Sequence, residues 1–507
     1  MPTELFLLFT ILSAFLGVAL ILLLPARFGS AAKWIALISA LTGFGCAVAA
    51  FCTYDMSKGA YPIQFIVNQP WVESLGISYA TGVDGISLVL LLLTGIIAIT
   101  GILFSWNVTQ QPRAFFALFL TIIGGVYGVF QSLDLFLLFV FYEIVIVPKY
   151  FLISNWGSTN REYGAMKLTM YSVVGSALVL LALIGIYVLA PDVTLNLLSL
   201  AKFKFPVAFQ LWAFPVMFLG FGILAGIWPF HTWAPTGHVA APTAVSMLLA
   251  GVVMKLGSYG ALRVAMTLFP LGLEHWRIPI AILATFGILY GALVALAQKD
   301  LKFVVGYSSI NHMGFVLLGL VTLNTVGLSG AVLQMFSHGI IGGLLFAVVG
   351  RMIYDRTHTR DIGSLGKMGL AKSMPFVAFT FVVASLASMG LPGFSGFIAE
   401  ISILLGAWKA FPIFLVFAAL GVVITVAFTL RALQRTFFPA HAETPEPHAE
   451  EPHEFEPITL PERLGAIILM ATTVGIGLFP KVLLDPILRS FESPQSLMHH
   501  LIKEVAK

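Results

Sequence analysis

The chain has 507 residues, of which 59% are hydrophobic and only 10% are charged. A soluble protein carries about 25% charged residues, so this composition excludes a soluble multidomain enzyme and predicts a membrane protein. The net charge is +4, and the sequence contains no basic run of the kind that binds nucleic acid. The two cysteines, Cys46 and Cys52, are too few for a disulfide framework or a cysteine metal site.

Apolar runs long enough to cross a bilayer recur along the chain, and we number them as spans 1 to 14. The first lacks a basic n-region and an A-x-A cleavage site, so we expect it to be kept as a membrane helix. Because an open sheet cannot satisfy its backbone in lipid, the predicted fold class is an all-α polytopic membrane protein. The runs lie near residues 4–25, 33–53, 83–105, 114–131, 134–154, 165–189, 208–228, 242–266, 278–297, 303–321, 328–350, 373–407, 411–431 and 463–482.

The distribution of positive charge predicts the orientation. With the N-terminus outside, 16 of the 27 Lys and Arg residues fall on the inner side and 10 on the outer side, with Lys255 inside the membrane. Cytoplasmic loops carry the excess of Lys and Arg, so we predict an outer N-terminus in a bacterial-type inner (cytoplasmic) membrane.

Proline and glycine interrupt two of the spans. Span 7 ends in GIWPFHTWAPTGHVAAPT, and span 12 is split within ASMGLPGFSGFIAE. Broken helices in corresponding positions of two halves indicate a transport site. The breaks are five spans apart, which predicts two inverted five-helix repeats, spans 4–8 and 9–13, in one membrane domain. The expected parts are residues 1–106 (spans 1–3), 107–270 (first repeat), 271–432 (second repeat) and 433–507 (polar loop, span 14 and tail).

Four ionisable residues lie well within the apolar runs, namely Glu143, Lys255, His312 and His338 in spans 5, 8, 10 and 11. Glu400 in span 12 is the fifth, with the break in that span placed at mid-membrane. A lysine at the centre of a membrane helix costs about 3 kcal/mol on insertion scales, so such residues indicate function. Histidine exchanges protons near neutral pH, and burial disfavours the charged forms of lysine and glutamate. The water-bridged series Lys255, His312, His338, Glu400 would therefore pass protons, with Glu143 at the other end.

A structural explanation is open for each of these residues. Either histidine could be a hydrogen-bonded packing residue, and Lys255 could form a fixed ion pair with Glu143. Glu400 could accept a hydrogen bond at the helix break.

Other polar residues lie near span ends or in loops. His231 and His238, in the linker after span 7, could take up protons from the inner side or cap the loop. Snorkelling and helix capping suffice for four residues near span ends, namely Asp84, Asp134, Lys149 and Lys167. The segment 440–463 is predicted to be a solvated loop, with a metal site as the alternative for its histidines, which are His441, His448 and His453.

Five stretches carry a family resemblance: LDLFLLFVFYEIVIVPKYFLI, PFHTWAPTGHVAAPTAVSMLLAGVVMKLGSYGALR, AQKDLKFVVGYSSINHMGFVLLGL, SHGIIGGLLF and LASMGLPGFSGFIAE. Through them the chain resembles the antiporter-like membrane subunits of respiratory complex I over nearly its whole length. The resemblance implies fourteen helices with two inverted repeats and places all five ionisable residues at the family's proton-transfer positions. The chain length and Glu400 favour the subunit M (chain 4) branch over the longer subunit L and over subunit N, which has lysine at that position.

Leu224 departs from the family pattern. The family usually carries a lysine here, seven residues before the histidine of HTW, as the partner of the span 5 glutamate. Three alternatives follow from the absence of this lysine. Glu143 pairs with another group, such as Lys255 through water, or the Glu143 carboxyl is neutral at rest, or the subunit pumps protons poorly.

The resemblance implies a proton-translocating subunit of a complex I-type NADH:quinone oxidoreductase without a redox centre of its own. No cofactor or metal is expected in this chain; NADH or another donor, FMN, Fe–S clusters and quinone belong to partner subunits. The expected partners are other membrane-arm subunits, including antiporter-like ones, and lipids, without nucleic acid. The alternatives are a subunit of an Mrp-type cation/proton antiporter and a haem-bearing quinol oxidase subunit with axial ligands drawn from His231, His238, His312 and His338.

Overall fold

The computed structural model describes residues 4–57, 59–190, 192–439 and 455–497. Within these ranges, 13 helices are long and apolar enough to cross a membrane. Span 12 adds two shorter helices on either side of its break. The predicted all-α polytopic fold is therefore confirmed, whereas the inverted repeats and the domain limits remain predictions. The loop histidines lie outside the described residues; they are His441, His448 and His453.

The spans are formed by the following helices, in chain order. Spans 1 to 4 are α1 (Glu4–Leu23), α2 (Ala32–Thr53), α3 (Gly85–Phe104) and α4 (Pro112–Gln131). Span 5 consists of α5 (Leu135–Ile144) and α6 (Ile146–Trp156), and span 6 is α7 (Arg161–Leu189). The short α8 (Leu197–Leu200) precedes span 7, which is α9 (Val207–Ala225). The linker helix α10 (Trp233–Ala240) precedes span 8, which consists of α11 (Thr243–Leu248) and α12 (Met254–Gly260) with the π-helical turns Leu249–Val253 and Ala261–Met266. Spans 9 to 11 are α13 (Pro270–Ala297), α14 (Leu301–Val321) and α15 (Thr325–Phe346) with the π-helical segment Ala347–Tyr354. Three short helices follow, which are α16 (Asp355–Thr357), α17 (Ile362–Lys367) and α18 (Leu370–Ser373). Span 12 consists of α19 (Pro375–Ser388) and α20 (Ser395–Ala410). Span 13 is α21 (Pro412–Phe437), span 14 is α22 (Leu460–Leu478), and α23 (Lys481–Glu492) comes last.

A β-hairpin between spans 2 and 3 is an element that the sequence analysis missed. Strand β1 (Gln64–Val72) pairs antiparallel with β2 (Ile77–Val83), with Gln64 opposite Val83. The register is irregular at two points, so the alternation of apolar and polar residues is too short to stand out in the sequence. Gly76 turns the chain with φ +63, and a Cβ there would lie 1.9 Å from a carbonyl oxygen of the loop after span 6.

Three spans are interrupted, and proline and glycine explain where. Span 5, predicted as one run over 134–154, is divided at Val145, because Pro148 has no N–H to continue the helical hydrogen bonds. Span 7 ends as predicted, at Gly226 with φ +83. The predicted break in span 12 is also present, and Gly390 there has φ +66.

The spans differ in how much of their surface the protein itself covers. The most apolar parts of spans 8 and 11 are 100% buried, and those of spans 3 and 10 are 94% buried. Spans 2, 13 and 14 are only 28% buried, so their apolar side chains face outward, as expected for helices in contact with lipid. The ionisable residues of spans 8, 10 and 11 therefore lie in the centre of the bundle.

Buried ion pairs hold both ends of the central spans. Arg263 Nη2 of span 8 lies 2.6 Å from Asp84 Oδ1, which also caps α3 as expected. Glu462 at the start of span 14 is bound by Arg351 at 2.6 Å, at the end of span 11, and by Arg356 at 2.8 Å, in the short α16 that follows. Breaking such a pair leaves a buried charge unpaired and costs about 3–5 kcal/mol, so these contacts fix spans 3, 8, 11 and 14 relative to one another.

Candidate functional site

Lys255 is fully buried in span 8, and its ammonium has two partners. Its Nζ lies 2.7 Å from His338 Nδ1 of span 11, and it donates a hydrogen bond to the Ala250 carbonyl. Ala250 lies in the π-helical turn before Lys255, where the Met254 N–H bonds to the carbonyl of Leu249, five residues earlier. This shift in the backbone pattern brings the Ala250 carbonyl within reach of the ammonium, and such π turns are frequent at functional sites.

His312 and His338 face each other across spans 10 and 11. Their ring centres are 5.4 Å apart with planes tilted by 40°, and the exposed fractions of the two residues are 5% and 3%. His338 Nε2 is buried without a hydrogen-bond partner among the described residues. One water molecule, or a reorientation of the rings, can bridge this gap.

Glu400 of span 12 forms the far end of the same arrangement. Its Oε1 lies 3.1 Å from His312 Nδ1, and the carboxylate is buried. The break in span 12 makes room for it, since a Cβ on Gly390 would lie 2.7 Å from Glu400 Oε2. The structure thus brings four predicted residues into one line, in the order Lys255, His338, His312, Glu400. The sequence analysis placed the two histidines in the opposite order, because the packing of span 11 beside span 8 is not visible in the sequence.

Two polar residues beside this line were missed by the sequence analysis. Gln334 Nε2 lies 3.3 Å from His312 Nδ1 and 3.4 Å from Glu400 Oε1. The Ser388 hydroxyl lies 3.4 Å from His312 Nε2. Gln334 precedes His338 by four residues, so both lie on one face of α15, and that spacing was the available signal.

Glu143 lies apart from this line, next to the break in span 5. Its Oε1 is buried and has no hydrogen-bond partner in the described part of the chain. Neither Glu143 nor Lys255 is in an ion pair there, so the expected alternative of a fixed pair between them is not what the structure shows.

Lys149 is the cation that accompanies Glu143. It is 0% exposed, so the expectation that it snorkels to the surface is wrong. Its Nζ has no acceptor among the described residues, and Glu143 is the charged group that acts on it electrostatically. Leu224 is 2% exposed in α9 of span 7. The Phe221 ring of the same helix lies 5.8 Å from the Tyr142 ring, so spans 5 and 7 meet close to Glu143. A lysine six residues after a buried glutamate, within one apolar run, was the signal for this pair.

The linker histidines are both buried, at 2% exposure for His231 and 0% for His238. No side chain among the described residues hydrogen-bonds to either ring, whereas the backbone of Pro229 acts on the His231 ring and that of Ser246 acts on the His238 ring, so loop capping remains an alternative. His231 lies 5.0 Å from the Tyr290 ring, and His238 stacks on Phe346 at 4.8 Å. Lys302 Nζ donates to the carbonyls of Val239 at 3.3 Å and Ala241 at 2.7 Å, so His238 lies close to the predicted inner end of span 10.

A cavity of about 20 Å³ lies between spans 10, 12 and 13, on the Ser388 side of His312. Ser308, Ser385, Ser388 and Thr429 line it together with apolar side chains. The hydroxyls of Ser385 and Thr429 are buried and have no partner among the described residues. A space of this volume is about the size of one water molecule, and these two hydroxyls are the polar groups that such a water would bind.

Comparison with known proteins gives a consistent result. A family model described as NADH:quinone oxidoreductase/Mrp antiporter, TM, matches residues 132–426. The chain is 38% identical over 473 residues to NAD(P)H-quinone oxidoreductase chain 4 2 of Thermosynechococcus vestitus, covering 90% of this chain and 86% of that protein. It matches a chain of respiratory complex I from Thermus thermophilus with bound NADH, with a TM-score of 0.86, 27% identity and 99% of both chains covered. A chain of the Mrp complex from Dietzia sp. matches with a TM-score of 0.82, 22% identity and 99% of both chains covered, which shows a likeness of fold alone.

Proposed function

The chain belongs to the family of NADH:quinone oxidoreductase and Mrp antiporter membrane subunits, and from this premise we propose that it is a proton-translocating subunit M (chain 4) of a complex I-type oxidoreductase. The observation that carries the proposal is the buried line Lys255, His338, His312, Glu400 through spans 8, 11, 10 and 12. Each member can hold a proton, and each is placed beside the next.

Protons move along the line by exchange between neighbouring groups. The Lys255 ammonium gives a proton to His338 Nδ1, 2.7 Å away, and His338 then releases the proton on Nε2. That proton reaches Nε2 of His312, the nitrogen that lies 3.4 Å from the Ser388 hydroxyl. His312 then passes the proton on its Nδ1 to Glu400 Oε1, 3.1 Å away. Glu400 releases it to the outer side. Lys255 is recharged from the inner side through His238, with His231 at the start of the linker.

Glu143 and Lys149 form a second, switchable pair near the break in span 5. Lys149 Nζ and Glu143 Oε1 are buried without hydrogen-bond partners among the described residues, and we propose that water lies between them. Lys149 then replaces the cation that the family usually carries at the position of Leu224. Separating the two charges of this pair changes the electrostatic field inside the bundle, and we propose that this change alters the protonation of Lys255.

The redox chemistry takes place elsewhere in this proposal. Partner subunits hold the FMN and Fe–S clusters and reduce quinone with electrons from NADH or another donor, while this chain works without a cofactor. Its other partners are the neighbouring membrane-arm subunits, and it lies in the inner membrane with its N-terminus outside. Support comes from the structural likeness to a chain of a complex I and from the excess of inner Lys and Arg residues.

The purified native assembly, reconstituted in proteoliposomes, tests this function. Addition of the electron donor and quinone is expected to move protons across the membrane in sodium-free buffer, as recorded by a pH-sensitive dye, with a protonophore abolishing the signal. Proton movement that requires a sodium gradient and proceeds without any electron donor would instead favour the Mrp-type antiporter and contradict the proposal.

A further inference from the structure

A cavity of about 910 Å³ opens where spans 1 to 4 reach the predicted inner side of the membrane. Its walls come from two segments, residues 22–33 between α1 and α2 and residues 106–116 between α3 and α4. The volume is in the range of sites for small molecules, which is about 300–1,000 Å³. The cavity is far from the line of proton carriers and has no role in the function proposed above.

Three cations line the cavity, and no Asp or Glu does; they are Arg27, Lys33 and Arg113. Backbone carbonyls hold two of them. Arg113 Nη2 donates to the Leu22 carbonyl at 2.7 Å, and Lys33 Nζ donates to the Trp106 carbonyl at 3.4 Å while lying 4.9 Å from the Trp106 ring centre. A carbonyl orients a cation without neutralising its charge, so the cavity keeps three positive charges at fixed places.

The side chains next to the cavity are those of a membrane boundary. Leu22 and Leu23 at the end of α1 are 58% and 81% exposed, and Trp34 at the start of α2 is 55% exposed. Tryptophan is enriched at the level of lipid headgroups, and leucines exposed below it face acyl chains. The cavity thus combines an uncompensated cationic end with an adjoining apolar surface.

From this combination we infer that the cavity binds an anionic phospholipid. The phosphate lies among Arg27, Lys33 and Arg113, and the acyl chains follow the exposed leucines of α1. Arginine binds phosphate oxygens through two parallel N–H groups, which a compact ammonium cannot do. Basic pockets between membrane helices on the cytoplasmic side are suited to anionic headgroups, whereas a neutral lipid would leave the three charges uncompensated. An acidic segment of a neighbouring subunit is the competing occupant.

Lipid binding to the purified, delipidated native assembly tests the inference. Dioleoylphosphatidylglycerol, dioleoylphosphatidylcholine and inorganic phosphate are titrated separately, and native mass spectrometry counts what stays bound to this subunit. We expect phosphatidylglycerol to be retained at least fivefold more than phosphatidylcholine, and the triple variant Arg27→Gln, Lys33→Gln, Arg113→Gln to lose this preference. A control variant that removes three exposed cations elsewhere is expected to keep it; its changes are Lys202→Gln, Lys204→Gln and Lys409→Gln.

The other outcomes overturn the inference. Equal retention of both lipids, or a preference that survives the triple variant, would show that the cavity does not select an anionic headgroup through these cations. Binding of inorganic phosphate as tight as that of phosphatidylglycerol would identify a site for the free anion. No binding to the native assembly would indicate that a partner subunit fills the cavity. If the triple variant fails to assemble, Arg27→Gln alone gives the same test, because Arg27 is exposed and its recorded contact is with the adjacent Phe28 ring.

Discussion

Replacement of Lys255 by methionine is expected to abolish the share of proton translocation that passes through this chain. Loss of a proton-transfer group slows transfer by about a hundredfold or more. Methionine has a similar length and is apolar, so the buried site of Lys255 stays filled and folding is not compromised. His338 loses the partner 2.7 Å from its Nδ1 and can no longer receive a proton from span 8. The measurement is the number of protons moved per electron by the reconstituted assembly carrying Lys255→Met.

The control for this variant is Lys409→Met. Lys409 is an exposed lysine in the last turn of α20, away from the buried line, so its replacement is expected to leave the proton-to-electron ratio unchanged. An assembled Lys255→Met complex with the wild-type ratio would remove Lys255 from the proton path.

Replacement of Lys149 by leucine is expected to have the second-largest effect. The variant removes the cation that acts on Glu143 and leaves its carboxylate without a counter-charge inside the bundle. Proton translocation is expected to fall about tenfold or more, because the Glu143–Lys149 pair can no longer form and separate during turnover. The additional change Leu224→Lys is expected to restore most of the activity, since Leu224 lies one turn beyond Phe221, where span 7 meets span 5.

The matched control pairs Lys149→Leu with Leu224→Met. Methionine alters the volume at position 224 without adding a charge, so it is expected to restore nothing. Equal recovery with methionine and lysine would mean that packing, and not the charge, sets the activity. Wild-type pumping by Lys149→Leu alone would show that Glu143 works without Lys149.

The membrane fold could be predicted because its signals are local. A long apolar run specifies a spanning helix wherever it occurs, and the glycines and prolines that open spans 7 and 12 act within one or two turns. The division of span 5 was missed although Pro148 lies in the sequence, since many membrane helices continue past a proline. The hairpin Gln64–Val83 was missed because its register is irregular at two points, which interrupts the alternation of apolar and polar residues.

The candidate site could be predicted as a set of residues but not as a geometry. A charge in an apolar run stands out by its cost, which singled out Lys255 and Glu400. Which groups meet depends on packing between residues far apart in sequence, such as Lys255 with His338, 83 residues apart. The π-helical turn at Ala250 has no local signature, and the spacing of Lys149 from Glu143 was not used as a signal, so both the partner of Lys255 and the partner of Glu143 came from the structure.

The continuity of the proton path is tested most directly at its middle link. His312→Gln keeps a hydrogen-bonding side chain between His338 and Glu400 but cannot carry a proton as an imidazolium. The reconstituted assembly with this variant, and with His275→Gln at an exposed position as the control, is compared with wild type in protons moved per electron. A ratio lowered by His312→Gln and unchanged by His275→Gln is the result that a path through Lys255, His338, His312 and Glu400 predicts. An unchanged ratio in the assembled His312→Gln complex would contradict it.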